Sequence, residues 1–184
     1  MAVFSPATPQ EKCHWLSATS STDMTTHCAS IHRRAGLWPK EEAAGVLTLD
    51  FEARHRRRIR LTTDQGEDVL LDLAKSVAMA DGDGLQLEDR RWLEIRAATE
   101  LLVEVTHKDP NQLICLAWHL GNRHLPTEIR NGALRIRPDH VIEDMVHGFG
   151  ADLVKVEAPF QPAGGAYGSH AGLQDHRDKG HHHG

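Results

Sequence analysis

Cysteine is scarce in this chain: Cys13, Cys28 and Cys115 are three residues in 184, at spacings that build neither a disulfide framework nor a paired-cysteine zinc site. A reducing compartment is the expectation. Aromatic residues are also few, 5% beside 40% hydrophobic overall, which suits one or two small domains with modest cores rather than one large one. No apolar run is long enough to cross a bilayer, and the Ser/Thr-rich N-terminal segment lacks the apolar stretch of a secretory signal. A cytoplasmic protein with no membrane partner is expected. Positive charge is not in excess either. Lys and Arg number 21 against 26 Asp and Glu, a formal -5, so the bulk charge makes no case for nucleic acid. Catalytic signatures are missing as well: there is no Gly-rich phosphate loop, no GxSxG, no HExxH and no Cys/His pair at a catalytic spacing. The chain reads as a non-enzyme.

Histidine, by contrast, is abundant at 14 copies, and imidazole is the commonest side-chain metal ligand near neutral pH. Residues 1–33 mix small polar residues with scattered His and Cys without helical or strand period, and read as a flexible extension in which Met24 is an alternative start. Residues 34–98 carry short strand-like runs, Val46–Phe51, Ile59–Thr62, Val69–Leu73, Leu85–Leu87 and Trp92–Ile95, some separated by turn-forming stretches at Asp64-Gln65-Gly66 and Asp81-Gly82-Asp83-Gly84. This is a small all-β module. Residues 99–160 read strand (Leu101–Val105), helix, strand, strand, helix, strand. Asp109 caps the first helix, with Pro110 at its first position and Gln112 placed for a capping box. Asn131-Gly132 marks a tight hairpin and Asp139 caps the second helix. The expected fold class is therefore α+β, with an all-β N-terminal domain followed by a ferredoxin-like βαββαβ domain, both helices on one face of its sheet. Residues 161–184 have too little apolar content to fold and read as a disordered His-rich tail.

That tail carries His170, His176, His181, His182 and His183, imidazoles able to converge on one divalent ion without a preformed pocket. Such donors suit Ni²⁺, Zn²⁺ and Cu²⁺ alike, so composition indicates metal affinity and leaves the metal open. A purification tag or inert tail is the alternative, against which three consecutive His are fewer than a tag usually has. His124 falls just past the end of the first helix, where its ring either caps carbonyls and packs or, across a two-fold axis, contributes one nitrogen per chain to a shared ion. His140, Glu143, Asp144 and His147 lie at i, i+3, i+4 and i+7 on one helical face, which is favoured as a solvated polar face over a metal site. The run Arg54-His55-Arg56-Arg57-Arg58 has no interleaved aromatics, so an acidic protein partner fits it better than nucleic acid.

Three segments then carry a resemblance. Ala117-Trp118-His119-Leu120-Gly121-Asn122-Arg123-His124-Leu125-Pro126, Asp139-His140-Val141-Ile142-Glu143-Asp144-Met145 and Pro159-Phe160-Gln161-Pro162-Ala163-Gly164-Gly165-Ala166-Tyr167-Gly168 together resemble the UreE family of urease accessory proteins. The likeness extends upstream through Leu47–Asp50 and Arg56–Leu61, and covers roughly residues 34–170. It implies a β-rich partner-binding domain, a ferredoxin-like metal-binding domain that dimerises head to head, and carriage of Ni²⁺ to urease. It also implies that His124 meets its symmetry mate at the dimer interface and binds nickel there, with tail histidines completing the coordination. Members with a longer His-rich segment have another histidine two positions before the one matched by His140; here that position is Pro138, so an auxiliary site would rest on His140 alone. The implied partners are a second copy of the chain, the GTP-hydrolysing accessory protein and the urease apoprotein complex. A different function remains as the alternative, a nickel or zinc buffer in which the tail sequesters ions without delivering them. A metal-dependent hydrolase would need a closed cavity and a catalytic base that nothing here signals.

Overall fold

The computed structural model describes residues 26–164. Ten strands and two helices follow in the order β1 (His27–Arg33), β2 (Ala43–Leu49), β3 (Arg58–Thr62), β4 (Asp68–Asp72), β5 (Gly84–Leu87), β6 (Trp92–Ala97), β7 (Thr99–Thr106), α1 (Pro110–Asn122), β8 (Glu128–Arg130), β9 (Ala133–Ile136), α2 (His140–Gly148) and β10 (Asp152–Pro159). The first six strands form one sheet in the order β2-β6-β5-β1-β4-β3, with parallel pairs β1/β4 and β2/β6. Alternation along these strands buries Leu47, Leu49, Leu61, Val69, Leu71, Leu85, Leu87, Leu93 and Ile95 in one cluster, as the period of two requires.

β1 is a correction to the sequence reading, which assigns His27–Arg33 to a flexible extension. The strand sits inside the sheet between β4 and β5. Its run, His-Cys-Ala-Ser-Ile-His-Arg, buries only Cys28 and Ala29. Two small side chains give little hydrophobic signal, and the strand is held by neighbours on both sides rather than by its own propensity.

The remaining elements form a second unit around a four-stranded antiparallel sheet of order β10-β7-β9-β8. Leu116 and Leu120 of α1 and Ile142 and Val146 of α2 pack with Val103, Val105, Leu134 and Ile136 from the strands. The residues of β7 and β9 in this core alternate along their strands, so both helices cover the same sheet face. Asp109 caps α1 by accepting the Asn111 N–H at 2.9 Å. The capping box expected there is absent, because the Asp109 N–H donates to His107 Nδ1 instead of to Gln112. A similar reciprocal arrangement, one residue longer than a capping box, occurs on α2: Asp139 accepts from Val141 and Ile142, and Glu143, the fourth helical residue, accepts the Asp139 N–H at 3.1 Å. The Asn131-Gly132 hairpin forms as expected, pairing Arg130 with Ala133 and placing Gly132 at φ +75°.

A third cluster joins the two units. Phe51 after β2, Leu102 of β7 and Phe160 after β10 pack together, and the Phe51 N–H donates to Glu100. Arg137 lies over the Phe51 ring and bonds Glu52 at 2.8 Å. Nearby, the loop from Met79 to Asp83 is braced by Asp83, a carboxylate 3% exposed. It accepts the Ala35 N–H at 2.9 Å, the Ala80 N–H at 2.9 Å and a bond from His32 Nε2 at 2.7 Å. Burial opposes ionisation of Asp83, but these three partners outweigh it and hold the carboxyl below its ordinary range. A folded-state value below the unfolded one stabilises the fold above the ordinary Asp pKa, about 3.9, and that contribution vanishes as pH falls through the lower folded value. Asp83→Ala is therefore expected to cost about 3 kcal/mol at pH 7 and progressively less as pH falls below about 3.9. Urea unfolding of both chains across that range checks it.

Candidate metal centre

α1 ends in a left-handed reversal. Its last residues cannot continue the ladder past Asn122, and the chain closes by two bonds: Leu125 N–H to the Leu120 carbonyl at 3.2 Å and His124 N–H to the Gly121 carbonyl at 2.9 Å. This is the Schellman pattern, in which the residue after the C-cap adopts positive φ and is usually glycine. Here that residue is His124, at φ +56°. A β-carbon in this conformation costs about 1–2 kcal/mol. Leu125 packs into the helix–sheet core beside Leu120 and so locks the reversal. The His124 side chain is exposed and makes no hydrogen bond or ion pair among the described residues.

Along α1, Ile114, Trp118 and Gly121 fall at i, i+4 and i+7, one stripe running to this turn. Ile114 is 67% exposed and Trp118 64%, and a β-carbon added at Gly121 would meet nothing within 4 Å. Beside the stripe, the His119 ring sits against Trp118 at 5.0 Å and Phe149 of the α2 end at 4.8 Å. The C-terminal end of α1 thus carries a bare imidazole next to an apolar surface.

On α2, His140, Asp144 and His147 are exposed and Glu143 is half-buried, its carboxylate taken by the Asp139 N–H. Among the described residues, no group of three or more His, Cys, Asp or Glu side chains could hold a metal ion. Neither His124 nor His140 therefore belongs to such a group. The tail positions His170, His176, His181, His182 and His183 lie outside the described residues. The chain leaves β10 at Pro159, however, and turns toward the region of His124: the Ala163 N–H donates to the Thr127 carbonyl at 2.9 Å. That approach has no signal in the sequence, since it depends on contacts between residues 36 positions apart.

The run of basic residues is divided by the fold. Arg54, in a 3-10 turn over Ala53–His55, is buried and bonds two carbonyls. Arg56 lies 3.9 Å from Glu52, Arg58 4.0 Å from Asp72, and Arg57 donates to the Leu73 carbonyl. Of the four arginines only Arg54 is withdrawn from the surface; Arg56, Arg57 and Arg58 remain exposed. No helix among the described residues is long and apolar enough to cross a membrane.

Comparison with known proteins places the two units separately. Residues 25–98 match the family model described as UreE urease accessory protein, N-terminal domain, and residues 100–184 the one described as UreE urease accessory protein, C-terminal domain. The urease accessory protein UreE of Bradyrhizobium sp. (strain ORS 278) is 55% identical over 134 residues, 72% of this chain and 64% of the relative. That of Rhodopseudomonas palustris (strain HaA2) is 56% identical over 128 residues, 70% of this chain and 60% of the relative. The chain thus spans somewhat under two thirds of these two relatives, although its match to the UreE of Chelativorans sp. (strain BNC1), 47% identical, covers 90% of that protein. Both family models together take in nearly every described residue, and the chain belongs to the UreE family of urease accessory proteins.

Proposed function

We propose that this protein is a nickel metallochaperone, a non-enzymatic, cytoplasmic homodimer that binds Ni²⁺ and donates it while the urease metallocentre is assembled. The observation that carries the reading is His124. An exposed imidazole occupies a left-handed position where glycine is easier, and strain of this kind persists where function holds it. One such ring is an inadequate site. The exposed Ile114/Trp118 stripe beside it supports burial against a second copy, which would bring the partner's equivalent ring to the same ion.

The tail completes the shell. His170 is seven residues beyond Ala163, a span of at most about 25 Å, and His176 and His181 to His183 reach further. These donors leave a largely imidazole site with water in the open positions, suited to exchange rather than permanent retention. Zn²⁺ and Cu²⁺ bind such a site too, Cu²⁺ more tightly, so selectivity for nickel rests on partner docking and metal supply. His140 is a weaker, auxiliary donor.

The second unit, residues 99–160, is read as a ferredoxin-like metal-binding and dimerisation domain, a reading supported by the strand order β10-β7-β9-β8 with both helices on one face. The all-β unit up to residue 98 is read as the partner-binding domain, and residues 161–184 as the tail. The acceptors are the urease accessory GTPase and the urease apoprotein complex.

Imidazole ligands must be neutral. Nickel affinity is therefore expected to fall as pH drops through about 6.5 to 6, and titrations at pH 7.5 and 5.5 check this. The role itself is tested by adding the nickel-loaded protein to urease apoprotein and its accessory GTPase at a fixed free Ni²⁺ concentration. Activation faster than a small-molecule nickel buffer achieves is expected. Equal rates would favour the alternative, a His-rich nickel or zinc buffer that sequesters without delivering.

A further inference from the structure

β2 and β3 are the two edges of the six-stranded sheet, and the fold treats them differently. Along β2, the Val46 N–H donates to Gln65 Oε1 at 3.2 Å, the Val46 carbonyl accepts the Asp64 N–H at 2.9 Å, and the Thr48 N–H donates to Asp64 Oδ1 at 3.1 Å. The turn between β3 and β4 thus covers the outward main chain of β2, one way in which a sheet edge is kept from pairing with a foreign strand. β3 is left open. Its ladder to β4 is bracketed by Leu73 N–H to the Arg57 carbonyl at 2.9 Å and Thr63 N–H to the Glu67 carbonyl at 2.8 Å. With Arg58 opposite Asp72 and Thr62 opposite Asp68, the alternation of an antiparallel ladder makes Ile59 and Leu61 the residues that bond β4. The N–H and C=O groups of Arg58, Arg60 and Thr62 therefore point to the open edge, where no hydrogen bond reaches them among the described residues.

The side chains at this edge carry one sign of charge. Arg58 and Arg60 are exposed, with Ile59 half-buried and Leu61 buried between and beyond them, so both arginines stand on the solvent face. Arg56 and Arg57, also exposed, precede them. Little of this charge is neutralised: Arg58 meets Asp72 only at 4.0 Å, and Arg60, opposite Leu70, has no hydrogen bond or ion pair among the described residues. A second copy of β3 is a poor occupant, since pairing in register sets arginine opposite arginine. Nucleic acid fits poorly too. Its phosphates match the arginines but cannot continue the ladder, and β3 has no aromatic side chain on which a base could stack.

We infer that the open edge of β3 is a docking site for an extended acidic segment of a partner protein, which adds to the six-stranded sheet as a further strand and places carboxylates opposite Arg58 and Arg60. Main-chain bonds to Arg58, Arg60 and Thr62 hold the segment, and Asp or Glu at alternate positions select it. Side chains directly opposite across the new pair lie about 5 Å apart at their β-carbons, within reach of a guanidinium. The inference rests on the reading of the first unit as a partner-binding domain and deepens it by naming the surface and the chemistry of the partner.

The test uses the full-length chain and a fluorescein-labelled peptide, Val-Glu-Val-Glu-Val-Glu-Val, with Val-Lys-Val-Lys-Val-Lys-Val as its control. Fluorescence anisotropy is expected to show binding of the Glu peptide alone, weakened about tenfold or more by Arg58→Glu with Arg60→Glu. Arg90→Glu with Arg96→Glu makes the same change of charge on exposed residues that follow β5 and lie in β6, and is expected to alter binding by less than about twofold, because salt screens distant charges. Amide exchange on the parent needs no variant and gives a signature that charge alone does not. The N–H groups of Arg58, Arg60 and Thr62 are expected to exchange rapidly without the Glu peptide and to be protected with it, while those of Ile59 and Leu61 are protected throughout. No binding up to about 1 mM peptide, an equal loss in both charge variants, binding without this alternating protection, or tighter binding of a single-stranded oligothymidylate overturns the inference. If the Glu peptide does not bind but the chain captures the urease accessory GTPase, only this inference falls; if neither binds, the partner-binding reading falls with it.

Discussion

His124→Gly is expected to make the protein more stable and nearly unable to bind nickel tightly. The two effects have one origin. At φ +56° a histidine bears the steric cost of its β-carbon against the preceding backbone, and glycine at the same place does not. Part of the gain is offset because glycine is freer in the unfolded chain, so the net stabilisation is about 1 kcal/mol. The bonds that close the turn, Leu125 to Leu120 and His124 to Gly121, are made by main-chain atoms and survive the change. The imidazole does not. If paired His124 rings anchor the ion, the substitution removes two nitrogens per dimer, and the tightest binding event is expected to weaken by 100-fold or more, at least the size of effect seen when groups supporting a ligand are lost. Thermal unfolding and nickel titration of the same sample read both. Loss of stability would mean that the ring contributes packing, and retained affinity would move the site to the tail alone.

Placing charge on the α1 stripe should have an effect of similar size by another route. Ile114→Glu with Trp118→Glu changes two side chains that are 67% and 64% exposed, so the core of the subunit is untouched and folding should persist. If these residues are buried against a second copy, the pair of carboxylates puts four charges into one apolar contact. The dimer dissociation constant is expected to rise by 100-fold or more, as loss of large central side chains at an interface commonly does. Tight nickel binding should disappear with the dimer although His124 itself is unchanged. Sedimentation of both chains in the presence and absence of Ni²⁺ decides it; an undisturbed dimer would exclude this stripe as the contact.

The sequence was most legible where local chemistry alone sets local structure. Asp109-Pro110 and Asp139 start their helices, and Asn131-Gly132 turns its hairpin, because each acts through its own neighbours in the chain. The period of two in β2 to β6 and of 3.6 in α1 and α2 follows from which face meets the core. β1 was not legible, since Cys28 and Ala29 carry almost no hydrophobic signal and the strand exists through β4 and β5 on either side. Gln112 had the spacing for a capping box, but His107 reaches the same N–H from across the turn. Arg54 read as part of a basic run, yet its partners are 25 and 106 residues away, a separation that no local pattern reports. His124 was found by its place after a helix and by the motif around it. Its left-handed backbone is a property of the closed turn.

The central claim is that nickel is held between two copies of His124, and stoichiometry tests it most directly. Sedimentation equilibrium of the purified chain with limiting Ni²⁺, following protein and metal absorbance together, gives ions per chain and the oligomer that carries them. The account predicts that the tightest event binds one ion per two chains and that the metal travels with the dimer, as a site shared across a two-fold axis requires. One tightly bound ion per chain, carried equally well by the monomer, would contradict it.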